Sequence, residues 1–216
     1  QDAYSVKRPS GDFAPITEAS LKDVRIGLAE YYLDLADDEI ESAMRKSAQV
    51  FQSLGAKVES VDVAWLNEAY RANALMTPAD GAAFHRERMI KTPEVYGEDI
   101  LRRLRAGAAY TSTEYILARR TQAEVKWRMT EFFEKYDLLL LPSTAVTAPP
   151  IEGKDAVEQA KLLTRFTAPF NLIGVPAISL PCGFADGLPI GLQIVGAAWN
   201  ESKVLQAGYS YEGVHR

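Results

Sequence analysis

Few residues in this sequence are suited to nucleophilic chemistry. It contains one cysteine, Cys182, and two histidines, His85 and His215. A catalytic cysteine needs a neighbouring base that lowers the pKa of the thiol, and histidine is the usual choice. His85 falls inside a predicted helix and His215 lies at the end of the chain, so the sequence places neither beside Cys182. The pattern favours a packed core cysteine over a nucleophile.

The spacing of histidines, carboxylates and glycines argues against a metal or nucleotide site. Two distant histidines, with no carboxylate at metal-ligand spacing, do not make a zinc pattern. A nucleotide site after a first strand needs several glycines, as in GxGxxG or GK[ST], and only Gly27 is found at that place. We therefore expect no metal, no cofactor and no cofactor-binding residue.

A polar loop follows a strand that is predicted to be buried. The strand, Asp137 to Leu141, is almost wholly apolar and leads into the loop from Ser143 to Asp155, which is rich in proline, threonine and glycine. Loops at the carboxyl ends of buried strands are where α/β proteins tend to place ligands. This loop is a candidate binding region.

A hairpin around Asp186-Gly187 is the most clearly predicted of the elements that position this loop. Asp186-Gly187 separates two apolar runs, and Asp-Gly readily supplies the positive φ angles of a type I′ turn. Pro181 and Gly183 predict that the incoming strand is an edge strand or contains a bulge. The outgoing strand is nearly all apolar from Ile190 to Val195, which is typical of a strand covered on both faces.

The first part of the chain predicts a strand, a helix and a second strand. The strands are Val24 to Leu28 and Lys57 to Val63, and the helix is capped by Asp37 or Asp38 and ended by Gly55. Such a unit implies a right-handed crossover between two parallel strands.

Longer helices follow. Periodicity from Trp65 to Met89 is interrupted at Thr77-Pro78 and Gly81, so we expect two helical pieces with a kink or loop between them. A capping box at Thr111 to Glu114 begins the longest helix. A further helix is predicted to begin near Glu98, and two others are predicted over Val157 to Thr167 and Glu201 to Val214. The fold class is α/β, with a mixed, partly parallel sheet flanked by helices in a single incomplete domain over 1–216, which opens with an extended segment at 1–21.

Composition restricts the partners. The formal net charge of −5 argues against direct binding of nucleic acid, which requires a basic face. No run of about 18 apolar residues exists, so we expect no membrane span. One cysteine rules out an internal disulfide and fits a reducing compartment, so we expect a cytoplasmic protein. Because the chain begins at Gln1 without an initiator methionine or signal peptide, we expect it to derive from something larger or to have been processed.

Several separate segments share the pattern of one known family. They are VRIGL at 24–28, DLLLLPSTAVTAPP at 137–150, RFTAPFN at 165–171, GVPAISLPCGF at 174–184 and DGLPIGLQIVG at 186–196. In kind, order and spacing they resemble the C-terminal half of the amidase signature family, the Ser-Ser-Lys amide hydrolases. The resemblance implies hydrolysis of a small-molecule carboxylic amide to a carboxylate and ammonia or an amine, without a cofactor.

The resemblance also implies that the bond-breaking groups lie outside this chain. In the family one serine attacks the amide carbon, a second serine relays a proton, a lysine is the base and a glycine-rich loop stabilises the oxyanion. The family carries these groups in a Gly-Ser-rich segment and an earlier lysine. This sequence has no such segment and no serine pair, and its only Ser-Gly step is Ser10-Gly11. We expect no catalytic residue here and no hydrolysis by the chain alone.

The resemblance suggests substrate-binding residues. Arg103 falls where the transamidating branch of the family holds the carboxylate of glutamine, a task suited to a bidentate guanidinium. That branch has an aspartate just before its TPxN segment, where this chain has Thr164 followed by Arg165. The loss of that acid favours a general amidase over the A subunit of a glutamine-dependent tRNA amidotransferase. Ser143 and Thr144 join Thr164 and Arg165 as candidates for the acyl pocket.

Structural alternatives stay open for each of these residues. Arg103 also belongs to a solvated basic face with Arg102 and Arg105 near a helix C-terminus, which is favourable in itself. Capping and loop hydrogen bonds account equally for the threonines and Ser143. The whole chain is alternatively a non-catalytic α/β module that binds a ligand or a protein. If half of the fold is missing, an apolar face is exposed and we expect self-association.

Overall fold

A mixed five-stranded sheet with helices on both faces forms the centre of the molecule. The computed structural model describes residues 5–7, 20–150 and 161–214. Its strands are β1 (Arg25–Ala29), β2 (Lys57–Val61), β3 (Leu138–Pro142), β4 (Ala177–Ala185) and β5 (Leu188–Gly196). Its helices are α1 (Glu30–Leu33), α2 (Asp38–Ser53), α3 (Leu66–Lys91), α4 (Glu98–Ala108), α5 (Ser112–Lys135), α6 (Ala168–Ile173) and α7 (Glu201–Val214). The predicted fold class is confirmed.

The strand order is β2-β1-β3-β5-β4. β1 pairs in parallel with β2 and with β3, so that Leu28 lies between Ser60 and Leu140. β5 runs antiparallel to both β3 and β4. The predicted parallel pair is therefore present, and a third parallel strand joins it.

The hairpin between β4 and β5 follows the prediction. Asp186 has a φ of 51° and Gly187 a φ of 78°, the positive values that a type I′ turn requires. The register between the two strands shifts between Pro181 and Gly183, which is the expected irregularity. β4 is an edge strand and β5 lies inside the sheet, where Leu192 and Ile194 are buried.

The helices cover the sheet in two layers. α2 and α7 bury one face, where Met44, Phe51 and Tyr211 meet side chains such as Leu140 and Ile194. α3, α5 and α6 bury the other face around Leu139 and side chains such as Val125, Met129, Phe170 and Val195. The connection from β1 to β2 contains α2 and lies on one face of the sheet, whereas the connection from β2 to β3 contains α3 and α5 and lies on the other. The strand order therefore reverses between β1 and β3. In α/β sheets the carboxyl ends of such strands form a ligand crevice.

The structure contradicts the predicted loop at Thr77-Pro78, whereas the alternative of a kink stays a prediction. A single helix runs from Leu66 to Lys91 with Pro78 inside it. Proline removes one helical hydrogen bond and crowds the preceding turn, so an unbroken helix needs support from packing. α4 supplies this support, because the backbone at Gly107 lies so close to the Pro78 carbonyl that a Cβ there would clash. Sequence periodicity does not reveal a contact between two helices.

Asp37 occupies the N-cap position of α2, as predicted, but its side chain makes no capping hydrogen bond. Other elements follow the sequence more closely where they are described. Thr111 and Glu114 form the predicted capping box at the start of α5. α4 begins at Glu98, after Gly97. The predicted helix at 157–167 is helical at 161–164, and its first residues, 157–160, lie outside the described residues. Most of the predicted extended segment at 1–21, with Ser10-Gly11, and His215 also lie outside them. In the described part of the chain, no helix combines the length and apolar character needed to span a membrane.

Candidate functional site

The crevice at the carboxyl ends of β1 and β3 brings two connecting segments together. Glu30 follows β1 directly, and Ser143 follows β3 directly. The backbone N–H of Asp37, at the end of the first segment, donates to the carbonyl of Ala145 in the second at 2.9 Å. The two segments therefore hold each other at the edge of the sheet where the topology favours a ligand.

A pair of serine hydroxyls lies at this edge. The Oγ atoms of Ser143 and Ser179 are 2.5 Å apart, which is a hydrogen bond in which either hydroxyl can donate. The backbone N–H of Ser143 donates to the carbonyl of Gly191 at 2.8 Å and continues the pairing of β3 with β5. A Cβ at Gly191 would lie 2.7 Å from Ser143 Oγ and 3.0 Å from Ser179 Oγ. The glycine therefore provides the space in which the two hydroxyls meet.

Gln193 joins this pair to the segment that carries the predicted acyl-pocket residues. Its side chain is buried, and its Nε2 donates to the carbonyl of Phe166 at 3.1 Å. Gln193 lies opposite Ser179 in the sheet, so both side chains are on one face. Since Leu139 and Val195 make this face apolar further along the strands, the serines and the glutamine form a polar island at its end.

The two predicted threonines use their hydroxyls locally. Thr144 Oγ1 donates to the carbonyl of Val146 at 2.7 Å. Thr164 Oγ1 lies 3.5 Å from the carbonyl of Lys161, and its own carbonyl accepts from Thr167. These are the loop and helix-end hydrogen bonds that the structural alternative predicts. A role for either threonine in substrate binding stays a prediction.

Arg165 is half-buried beside Phe166, whose ring meets Tyr32 edge-on with the ring centroids 4.8 Å apart. Among the described residues, Arg165 makes no hydrogen bond or ion pair. The Tyr32 hydroxyl is likewise buried without a hydrogen-bond partner in the described part of the chain. Burial raises the pKa of Tyr32, and the Arg165 charge acts in the opposite direction. Among the described residues, the crevice therefore has a cation and a phenol whose hydrogen-bonding capacity is not used.

The structure does not bring Arg103 into this group. Arg103 is exposed on α4, and α4 packs on α3 through Leu104 and Gly107. Within 5–7, 20–150 and 161–214, no hydrogen bond or ion pair joins Arg103 to the residues at the strand ends. Gln193 links the segment with Thr164 and Arg165 to the face of the sheet that carries Ser143. The role of Arg103 stays a prediction from the resemblance.

Cys182 lies apart from the serine pair. It packs with Ile40, Ala43 and Ile190 on the opposite face of the sheet. Burial raises the pKa of its thiol to about 11, with a weaker opposing effect from Ser47. His85 is engaged elsewhere, since its Nδ1 is 3.0 Å from the Tyr96 hydroxyl. A thiol with a raised pKa, and with no base beside it among the described residues, is a poor nucleophile.

Among the described residues, the serine pair also lacks a base. Neither hydroxyl is hydrogen-bonded to a lysine or histidine in the part of the chain that the structure describes. The same residues contain no group of three or more histidines, cysteines, aspartates or glutamates arranged to hold a metal. The arrangement can donate and accept hydrogen bonds, but a serine without a base is not an activated nucleophile.

Sequence reasoning missed the residues that complete the polar island. Local patterns do not identify Ser179, because its partner, Ser143, is 36 positions away. Gln193 is the only strongly polar side chain in the buried run of β5, which is a signal, because buried amides need partners. Gly191 gave no signal beyond being a glycine inside a strand, which is often a place of close approach.

Comparison with known proteins identifies the family. The family model described as Amidase matches residues 1–205. The chain belongs to the amidase signature family. The sequence resemblance and the mixed sheet flanked by helices are thereby confirmed.

Members of the amidase signature family that resemble this chain are about twice as long. The A subunit of the glutamyl-tRNA(Gln) amidotransferase of Synechococcus sp. (strain JA-2-3B'a(2-13)) is 31% identical over 98% of this chain and 46% of its own length. An amidase of Pseudomonas putida is 29% identical over 98% of this chain and 47% of its own length. The chain thus spans about half the length of these relatives.

Solved structures of the family share the fold. The A subunit of the glutamyl-tRNA(Gln) amidotransferase of Thermotoga maritima superposes with a TM-score of 0.79 and 27% identity, over 98% of this chain and 46% of that one. The crystal structure of an amidase gives a TM-score of 0.78 at 24% identity, over 91% of this chain and 46% of the other. The five-stranded sheet described above therefore corresponds to one half of a larger amidase fold.

Proposed function

We propose that this chain is the C-terminal part of an amidase that hydrolyses a carboxylic amide to a carboxylate and ammonia or an amine. The observation that carries the proposal is the crevice at the ends of β1 and β3, which offers hydrogen-bonding groups but no activated nucleophile among the described residues. Family membership supports amide chemistry. The chain is a single incomplete α/β domain over 1–216 and acts in the cytoplasm.

The reaction proceeds through an acyl-serine, as the family resemblance implies. A lysine takes the hydroxyl proton of a serine outside this chain through a second serine, and the serine oxygen attacks the amide carbon. The C–N bond then breaks and the nitrogen leaves with that proton. Water then attacks the ester carbon, which releases the carboxylate and restores the serine. No step requires a cofactor. The present chain alone is inactive, because these groups are not part of it.

This chain contributes one wall of the substrate pocket. Ser143 and Thr144 lie on the segment after β3, and Thr164 and Arg165 lie on the segment that Gln193 holds against the sheet. Arg165 adds a half-buried positive charge without a partner among the described residues, which suits an acyl group rich in acceptor oxygens. Arg103 supplies a second cation if α4 faces the substrate in the whole protein.

The alternative function is that of the A subunit of a glutamine-dependent tRNA amidotransferase, which passes ammonia to a partner subunit. The similarity to proteins of that name, at 31% identity, favours it. The threonine at 164 opposes it, because no carboxylate is then present at that position to hold the amino group of glutamine. Hydrolysis of glutamine in preference to simple amides would favour this alternative.

The first test is the coding sequence immediately upstream of Gln1. It is expected to encode a Gly-Ser-rich segment preceded by a lysine. The second test measures ammonia release from aliphatic, aromatic and glutamine amides by the chain alone and by the chain joined to that upstream part. Turnover is expected only from the joined protein, and it should disappear when the upstream nucleophilic serine is changed to alanine.

Two results would overturn the proposal. The first is amide turnover by the isolated chain, which would mean that a residue of this chain, such as Cys182 or Ser143, is the nucleophile. The second is a joined protein that folds but hydrolyses none of the amides while the isolated chain binds another ligand saturably. That outcome would favour the non-catalytic α/β module.

A further inference from the structure

The hydroxyl pair of Ser143 and Ser179 has hydrogen-bonding capacity that the described residues do not use. Each serine has one O–H hydrogen and two acceptor lone pairs. The 2.5 Å contact uses one hydrogen, because only one of the hydroxyls can donate in it. Neither serine oxygen has another hydrogen-bond partner among the described residues. The pair therefore still offers one donor hydrogen and several acceptor sites.

The surroundings of the pair make this capacity available at a fixed position. Ser143 is nearly buried at the end of β3, where its backbone N–H is bonded to Gly191. In this chain Ser179 is exposed on the edge strand β4, so a ligand added to the chain can reach its hydroxyl. Since both serines lie on paired strands, their hydroxyls are held by the sheet rather than by a loop. Sites built on strands keep their geometry more precisely than sites on loops.

Gln193 extends the same pattern. Its Nε2 uses one of two N–H groups on the carbonyl of Phe166, and the second N–H and the amide oxygen remain. Gln193 lies directly opposite Ser179 on the same face of the sheet. A group that approaches Ser179 from this face therefore meets both donors and acceptors.

We propose that Ser143 and Ser179 form a binding subsite for an unsubstituted carboxamide group. A carboxamide has a carbonyl oxygen that accepts a hydrogen bond and an NH₂ group that donates two, which complements a site with one free hydrogen and several lone pairs. A carboxylate only accepts, so it leaves the lone pairs of the serines unmatched. The subsite discriminates in favour of the amide over the acid that its hydrolysis yields.

This inference rests on the proposed function for the identity of the ligand, but it is tested by binding to the chain itself. Amide N–H resonances of the chain labelled with ¹⁵N are followed by NMR during titration with benzamide and, separately, with benzoate. Saturable shifts are expected for benzamide at the backbone amides of Ser143, Ser179, Gly191 and Gln193. Benzoate is expected to bind more weakly at the same residues.

Variants of Ser179 provide the decisive comparison. Ser179→Ala removes an exposed hydroxyl, so it should fold normally, and it is expected to weaken benzamide binding roughly fivefold, the effect of one hydrogen bond. Ser179→Thr keeps the hydroxyl and should retain most of the affinity. Ser202→Ala, at an exposed serine of α7, serves as the control and should leave binding unchanged.

Three outcomes would contradict the subsite. They are the absence of saturable shifts at these residues, equal benzamide affinity in Ser179→Ala and the parent chain, and binding of benzoate that is as tight as that of benzamide. The result is separable from the proposed function. Benzamide binding without turnover in the joined protein would refute only the amidase, whereas turnover that Ser179→Ala leaves unaltered in KM would refute only the subsite.

Discussion

Ser143 and Ser179 are 36 positions apart in the chain, yet their hydroxyl oxygens lie 2.5 Å from each other. The strand that brings them together is β5, which pairs with β3 on one side and with β4 on the other. At the point of contact β5 presents Gly191, which leaves the space above the sheet open. The contact therefore depends on the register of three strands and on one residue without a side chain.

Gly191→Ala is expected to separate the two hydroxyls. The new methyl group would lie 2.7 Å from Ser143 Oγ, so the serine must rotate or the strands must shift. We expect a loss of about 1–2 kcal/mol in the free energy of unfolding, measured with urea, as for other overpacked sites. Gly213→Ala is the control, since nothing lies within 4 Å of its Cβ position, and it should not destabilise the chain, because alanine favours a helix more than glycine does. Equal effects of the two substitutions would show that the space at Gly191 is not needed.

Gln193→Leu is expected to release the segment that carries Thr164 and Arg165. The substitution places an apolar side chain of similar size on β5 and leaves the carbonyl of Phe166 without its donor. A buried acceptor without a partner costs about 1–3 kcal/mol. Amide hydrogen exchange at residues 161–167 should accelerate, and the unfolding midpoint in urea should fall.

The matched control for this change is Gln49→Leu, at an exposed position of α2. It alters the same side chain without removing a buried hydrogen bond, so it should leave exchange at 161–167 unchanged. If Gln193→Leu also leaves that exchange unchanged, the glutamine does not hold the segment.

Two buried tyrosines should respond oppositely to loss of their hydroxyl groups. The Tyr211 hydroxyl is 2.9 Å from Ser47 Oγ, and Tyr211→Phe is expected to cost about 1 kcal/mol of unfolding free energy. The Tyr32 hydroxyl has no partner among the described residues, so Tyr32→Phe removes a buried hydroxyl without breaking a hydrogen bond among them. It should leave stability unchanged or raise it by about 1 kcal/mol. A clear destabilisation by Tyr32→Phe in thermal or urea unfolding would reveal a partner for this hydroxyl.

The Cys182 thiol is expected to react slowly with iodoacetamide. Because burial raises its pKa to about 11, few molecules carry the reactive thiolate at pH 8. Alkylation of the folded chain should be about two hundred times slower than that of the urea-unfolded chain, whose thiol has a pKa of about 8.5. The rate should then rise about tenfold per pH unit towards pH 11. Similar rates in the folded and unfolded chain would show that the thiol is not shielded.

The same pKa shift gives stability a pH dependence of known sign. The folded state keeps the thiol protonated more strongly than the unfolded state does. The contribution of Cys182 to stability is therefore present below about pH 8.5 and is lost as the pH rises towards 11. Cys182→Ala should remove this part of the alkaline decline in the unfolding free energy.

Self-association of the chain stays a prediction. Several large apolar side chains are exposed, among them Ile116 at 65% and Trp127 at 61% on one face of α5. The pair lies about three helical turns apart along the same stripe. Sedimentation velocity should show association that increases with concentration. Replacement of Ile116 and Trp127 by lysine should reduce it.

The control for association adds the same positive charge elsewhere. Thr113→Lys with Ser202→Lys places two lysines at exposed polar positions and should leave association unchanged. A parent chain that stays monomeric at high concentration would contradict the expectation, and equal behaviour of both double variants would point to charge rather than apolar contact.

The local signals in this sequence were sufficient for the elements themselves. Asp186-Gly187 predicts the turn between β4 and β5, and Thr111 with Glu114 predicts the start of α5, because each depends on the conformations and hydrogen bonds of a few adjacent residues. The alternative of a loop at Pro78 was wrong, because α3 continues through this residue in contact with Gly107 of another helix. Local preference cannot include the support that a distant helix provides.

By itself, the sequence determined the class of fold, the resemblance to the amidase family and the lack of a base beside its only cysteine. Its alternating and apolar runs encode which residues are buried, and burial is the main source of folding free energy. Only the tertiary structure decided that Ser143 meets Ser179 and that Gln193 holds Phe166. These contacts depend on strand order and register. Packing across the whole sheet fixes both, and no single segment of the sequence determines them.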